Sequence, residues 1–167
     1  MNHNDLIKKY PKIFRDAHCD PKISCLAFGL EIGNGWIPLI DQLCHQLQWD
    51  TDANGYPQVI ADQVKEKYGA LRFYAHEEGG DLSRHEYEFK RYSRWQKFVV
   101  RSIKFLFPWL RHKFEYNFAR EIGEIDGAIK FAEHMSYKIC ENCGEPGVCN
   151  RSGWLAVRCR KCRPDED

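Results

Sequence analysis

Two cysteine pairs, Cys140-Glu141-Asn142-Cys143 and Cys159-Arg160-Lys161-Cys162, constrain this chain more than any other feature. They stand 15 residues apart, which gives the C-x2-C-x15-C-x2-C spacing of a zinc ribbon. Two thiolates three positions apart can grip one ion from a tight turn, and Gly144 directly after the first pair suits the backbone that such a knuckle needs. Four sulfurs close a tetrahedron and leave no position for water or substrate. The expectation is therefore one structural Zn2+ on Cys140, Cys143, Cys159 and Cys162, whose binding energy, about 10–16 kcal/mol in small zinc peptides, is folding energy for the segment. Cys149 lacks a CxxC partner and is expected to stay free. Trp154 and Val157 are expected to pack the ribbon's small hairpin onto the preceding helix.

The chain has 167 residues, 43% of them hydrophobic and 29% charged, which fits one main globular domain with a small appended module. Its formal charge of +1 conceals an asymmetry. Residues 1–89 carry 9 bases and 14 acids, whereas residues 90–113 carry 8 bases and no acid. The N-terminal stretch has no apolar run of signal-peptide length, and Phe98 to Leu110, the most apolar stretch, is broken by Arg101, Lys104 and Pro108. A spanning helix needs about 20 predominantly apolar residues, so no transmembrane segment is expected. In a chain without an export signal, paired CxxC spacing favours metal over disulfides. The expected compartment is reducing, that is, cytoplasmic.

The sequence predicts the following order of elements. The Gly33-Asn34-Gly35 turn opens a helix in which Trp36, Ile37, Ile40, Leu43, Cys44 and Leu47 recur at helical spacing, with Pro38 tolerated in its first turn. Asp50 to Pro57, rich in Asp, Asn, Gly and Pro, reads as a loop. Leu71, Phe73 and Ala75 alternate with Arg72 and Tyr74, so this piece reads as a strand entered through Gly69. Val59 to Val64 fits its hairpin partner better than a helix. Lys65-Glu66-Lys67 reads as a solvated turn. A two-faced helix is expected from Glu86 to Phe107, and another over Ile122 to Met135, up to Ser136.

Several constellations invite chemistry. Lys90, Arg94, Lys97, Arg101 and Lys104, interleaved with aromatic residues, could track phosphates and stack bases, lie on an anionic membrane surface, or meet an acidic partner. The plainer reading is a core-packed helix with a solvated basic face. His18-Cys19 and Cys44-His45 set thiol beside imidazole, yet neighbours in sequence do not face each other on a helix. Cys44 moreover lies on the apolar stripe, where an inert buried thiol is expected. There is no phosphate-binding glycine loop, nucleophile elbow or HExxH motif.

Three pieces, GNGWIPLIDQLC, QVKEKYGALRFY and CENCGEPG with the later CRKC, resemble a family of small uncharacterised proteins of bacteria and their phages. The matching positions are Gly35, Trp36 and Cys44, then Lys65, Glu66, Lys67, Gly69, Leu71, Arg72 and Tyr74, then the four ribbon cysteines. The resemblance implies a prokaryotic or phage origin and brings no activity. Relative to its pattern, the basic aromatic segment at about 86–118 looks like an insertion.

The reading is an α+β protein. A helix, a β-hairpin and later helices make a core over 1–136, a four-cysteine zinc ribbon follows over 137–163, and 164–167 is a frayed tail. The leading functional expectation is a non-enzymatic regulatory or interaction protein with a protein partner. Trp36, Arg72 and Tyr74 are its candidate contact surface, with Trp36 either a surface anchor or a core staple. The alternatives are nucleic-acid binding through the basic helix with Arg158, Arg160, Lys161 and Arg163, and, last, an enzyme with a site near His18, Cys19 and the KEKYG turn.

Overall fold

A computed structural model describes residues 1–78, 125–150 and 153–163. The basic segment with Lys90, Arg94, Lys97, Arg101 and Lys104 and the tail over 164–167 lie outside the described residues. The architecture is α+β: helices around one two-stranded hairpin, followed by a C-terminal cysteine cluster. No helix among the described residues is long and apolar enough to cross a membrane.

Helix α1 (His3–Lys9) starts at a capping box, in which the Asn2 side chain takes the Asp5 N–H and the Asp5 carboxylate takes the Asn2 N–H. Helix α2 (Ile37–Asn54) follows a 3-10 turn over Asn34–Trp36. It buries Ile37, Ile40, Leu43, Cys44 and Leu47, as the sequence periodicity predicts. It also runs one turn further than expected, into the segment read as a loop. The polar residues there support the helix instead of ending it. The buried Asp50 carboxylate accepts from the Gln46 and Asn54 amides four residues either side, and Thr51 donates back to the Leu47 carbonyl. The stop comes at Gly55, which takes the left-handed conformation (φ 70°) of a helix C-cap.

Strands β1 (Val59–Lys67) and β2 (Ala70–Glu77) form the expected antiparallel hairpin. Lys65-Glu66-Lys67 is the end of β1 rather than a turn. The turn itself is Tyr68-Gly69, with φ 55° and 72°, the double left-handed geometry of a two-residue type I′ loop. Glu66 secures it by accepting the Gly69 N–H at 2.5 Å. A bulge between Ala61 and Gln63 leaves Asp62 unpaired in the ladder. The Asp62 carbonyl accepts from the buried Ser24 hydroxyl, and its carboxylate meets His76 Nδ1 at 2.7 Å.

Val64, Leu71 and Phe73 face a core built with Leu6, Ile13, Phe14, Leu26, Trp36 and Ile40. The helix over 125–136 adds Ile125, Ile129 and Ala132. It also closes the outer edge of β2, since Ser136 Oγ accepts the Leu71 N–H at 2.9 Å and Glu133 Oε1 accepts the Phe73 N–H at 3.0 Å. Unpaired strand edges recruit other strands, so these two side chains blunt one. On the far side of β1, Glu31 exchanges backbone hydrogen bonds with Val64 and Glu66.

Candidate metal centre

The C-terminal segment forms two tight turns carried by a short antiparallel pair, β3 (Val148–Cys149) and β4 (Val157–Arg158). In the first turn the Gly144 N–H donates to the Cys140 carbonyl, and Gly144 adopts φ 82°, as the sequence requires of it. In the second, the N–H groups of Cys162 and Arg163 both point at the Cys159 carbonyl. The Sγ atoms of Cys140, Cys143, Cys159 and Cys162 are thereby brought within 4.8 Å of one another and can hold a metal ion. The Cys143 and Cys159 sulfurs are 3.6 Å apart. With metal–sulfur bonds near 2.3 Å, the edge of a tetrahedral thiolate site is about 3.8 Å, so the cluster fits such an ion.

The thiols are polarised unequally. Burial pushes Cys140 up, but backbone N–H groups of Cys159, Cys143 and Asn142 outweigh it and hold this thiol at about 6. Cys159 is also lowered: burial opposes, while hydrogen bonds from Cys143 and Cys162 prevail. Cys162 is pushed up to about 12, first by Cys143 and then by Cys159. Without a metal, then, the cluster keeps some protons and sheds others. A cation would displace the remainder.

The cluster is not an appendage. The GNG turn lies against the first knuckle so closely that a Cβ on Gly35 would stand 2.1 Å from the Cys140 carbonyl oxygen, and one on Gly33 would stand 2.1 Å from that of Glu141. The Gly35 N–H donates to the Glu141 carbonyl at 2.7 Å, and the Trp36 indole N–H donates to the Ile139 carbonyl at 2.8 Å. Trp36 is fully buried, so of its two readings the core staple is the one realised and the surface anchor is excluded. On the other side of the cluster, Gly69 at the hairpin tip packs against Cys149 and the backbone of Leu155 and Ala156. Glu141, between the first two ligands, pairs with Arg158 of β4.

Other expectations divide. Val157 is fully buried as expected, but Trp154 is 81% exposed, because the Asn150 side chain braces the loop between β3 and β4 and turns it outward. Arg158 pairs with Glu141, whereas Arg160, Lys161 and Arg163 are exposed. His18 is exposed and the half-buried Cys19 thiol is spent on the Asp20 carbonyl. Cys44 is buried, which pushes its thiol well up, while neighbouring His45 is exposed. Neither pair is set up as nucleophile and base. Arg72 and Tyr74 lie on the face opposite Leu71 and Phe73, as alternation predicts, with Tyr74 43% exposed. Sequence reasoning missed the roles of Ser136 and Glu133, which carry no motif. Comparison of the chain with known protein families, with curated proteins and with solved structures found no match.

Proposed function

We propose that this is a non-enzymatic, zinc-stapled interaction protein that binds a protein partner in a prokaryotic or phage-infected cytoplasm. The observation that carries the reading is the closed four-sulfur cluster whose backbone is part of the core. A cluster with four protein ligands has no open coordination position for catalysis, and Zn2+ is the usual occupant of a tetrahedral four-thiolate site. Thiolate ligation needs reduced cysteines, which supports a reducing compartment. With the metal assigned to architecture, function falls to a surface. Arg72 and Tyr74 belong to residue types enriched at binding hot spots, and they stand on a rigid strand.

Metal analysis of the purified chain should find about one zinc per molecule, lost in Cys143→Ser together with the folded C-terminal segment. A metal-free chain that stays folded would remove the zinc assignment. Binding is tested by capture from the native host: Tyr74→Ala should keep the thermal midpoint and lose the partner that the wild type retains. An unchanged partner set would place the functional surface elsewhere.

A further inference from the structure

The hairpin face that carries Tyr74 sets two cations side by side across the strands. Lys65 and Arg72 stand directly opposite each other in register, as do Gln63 and Tyr74 one step along and Lys67 and Ala70 at the tip. Two cations as cross-strand partners repel each other, and such pairs are normally destabilising. Among the described residues none of Lys65, Lys67 and Arg72 has a carboxylate ion pair, which is also true of Lys8, Lys22 and Lys138, while Lys9, Lys12, Arg15, Lys130 and Arg158 are paired. The three are nevertheless held in place. The Lys65 ammonium lies 5.4 Å from the Tyr74 ring centre and Lys67 lies 5.4 Å from that of Tyr68. Arg72 donates to the Leu71 carbonyl at 2.7 Å and is charged more firmly by its hydrogen bond with Tyr137 and by nearby Glu133. Side chains positioned in this way lose less freedom when a ligand arrives.

We infer that this face receives an acidic segment of the partner protein, one carboxylate bridging Lys65 and Arg72 and a second engaging Lys67, with the exposed tyrosines packing against the partner's chain. The inference rests on the interaction reading above and gives it a partner chemistry. A bridging carboxylate offsets the like-charge juxtaposition of Lys65 and Arg72 more directly than Glu133 near Arg72 or Glu31, which bridges Lys65 through the backbone and accepts from Gln63 at 3.1 Å. Contact is through the face and not by strand addition, because Ser136 and Glu133 already occupy the outer N–H groups of Leu71 and Phe73.

Nucleic acid fits less well. The hairpin lies in residues 1–78, which carry eight bases and eleven acids, a net of −3 within a chain of formal charge +1, so a short acidic segment meets less repulsion there than a long polyanion.

The test uses the zinc-loaded full chain, a fluorescein-labelled peptide of alternating glutamate and serine, and an oligothymidylate of matched length, read by fluorescence anisotropy at low salt. The peptide should bind more tightly than the oligonucleotide. Lys65→Ala and Lys67→Ala should each weaken it at least about tenfold, the loss of roughly one charge-assisted hydrogen bond, and Lys65→Arg should restore it. Lys12→Ala, on an ion-paired lysine elsewhere, should change nothing. Each variant's thermal midpoint is measured alongside. Equal binding by Lys65→Ala and wild type, or tighter binding of the oligonucleotide, would overturn the inference. No peptide binding by a wild type whose cellular capture still depends on Tyr74 would also overturn it, while leaving the broader interaction reading in place.

Discussion

The cysteine cluster and the hairpin face show opposite treatments of polar groups within one small fold. Around the cluster the polar groups are drawn together: the GNG turn bonds to the knuckle backbone, Trp36 donates to Ile139, Glu141 pairs with Arg158, and four sulfurs converge. Across the hairpin face, three cations are ordered and none has a carboxylate ion pair among the described residues. Groups that share one tight packing problem hold a structure together, whereas cations without a direct ion pair can take a carboxylate from a second molecule. On the proposed reading, stability and recognition occupy different surfaces, and substitutions should separate them.

The sharpest way to break that division is Gly35→Ala. A single added methyl meets backbone atoms of Cys140, Cys143 and Gly144 that cannot rotate away. The expected loss exceeds about 4 kcal/mol, beyond the ordinary range for point substitutions, and the metal becomes readily chelatable. Chemical denaturation of the metal-loaded protein with and without chelator measures both. Full stability in this variant would mean that the GNG turn is not built into the metal site.

Acid should act on the cluster next. Because the folded Cys140 thiol sits at about 6, below the ordinary value of 9.0, its contribution to the metal-free fold is present above that ordinary value and is lost as pH falls through about 6. Protons also compete with metal for the thiolates, so metal release should set in on the acid side and not the alkaline side. Following metal release with a chromogenic chelator against pH tests the direction. Retention at low pH with loss at high pH would contradict it.

A middle-sized effect is expected where the helix over 125–136 meets β2. Ser136→Ala removes the partner of the buried Leu71 N–H and should cost about 1–3 kcal/mol with metal binding unchanged. Hydrogen exchange should show the Leu71 amide losing protection ahead of its neighbours. The smallest effect belongs to the open face: Tyr74→Ala should change stability by less than about 0.5 kcal/mol, as surface substitutions usually do. A large destabilisation there would erase the contrast between the two regions.

Much of this architecture was legible beforehand because it is local. The CxxC spacing, the apolar stripe of α2, the alternation through Leu71, Arg72, Phe73 and Tyr74, and the glycine at the hairpin turn each depend on residues a few positions apart, where spacing maps directly onto geometry. The error at Asp50 to Pro57 was of another kind. Polar residues that usually end helices here hydrogen-bond along the helix, and only the packing that buries Asp50 chose between the two outcomes. Trp154 failed as a core residue for a similar reason, since burial depends on where a loop is braced and not on side-chain size. What tertiary structure alone decided was who meets whom. That Gly33 and Gly35 make room for a knuckle more than a hundred residues later and that Ser136 and Glu133 seal a strand edge are both contacts between distant segments. Spacing along a chain fixes the local turn or face that a residue occupies, but contacts between segments arise only when several weakly specified surfaces are packed at once.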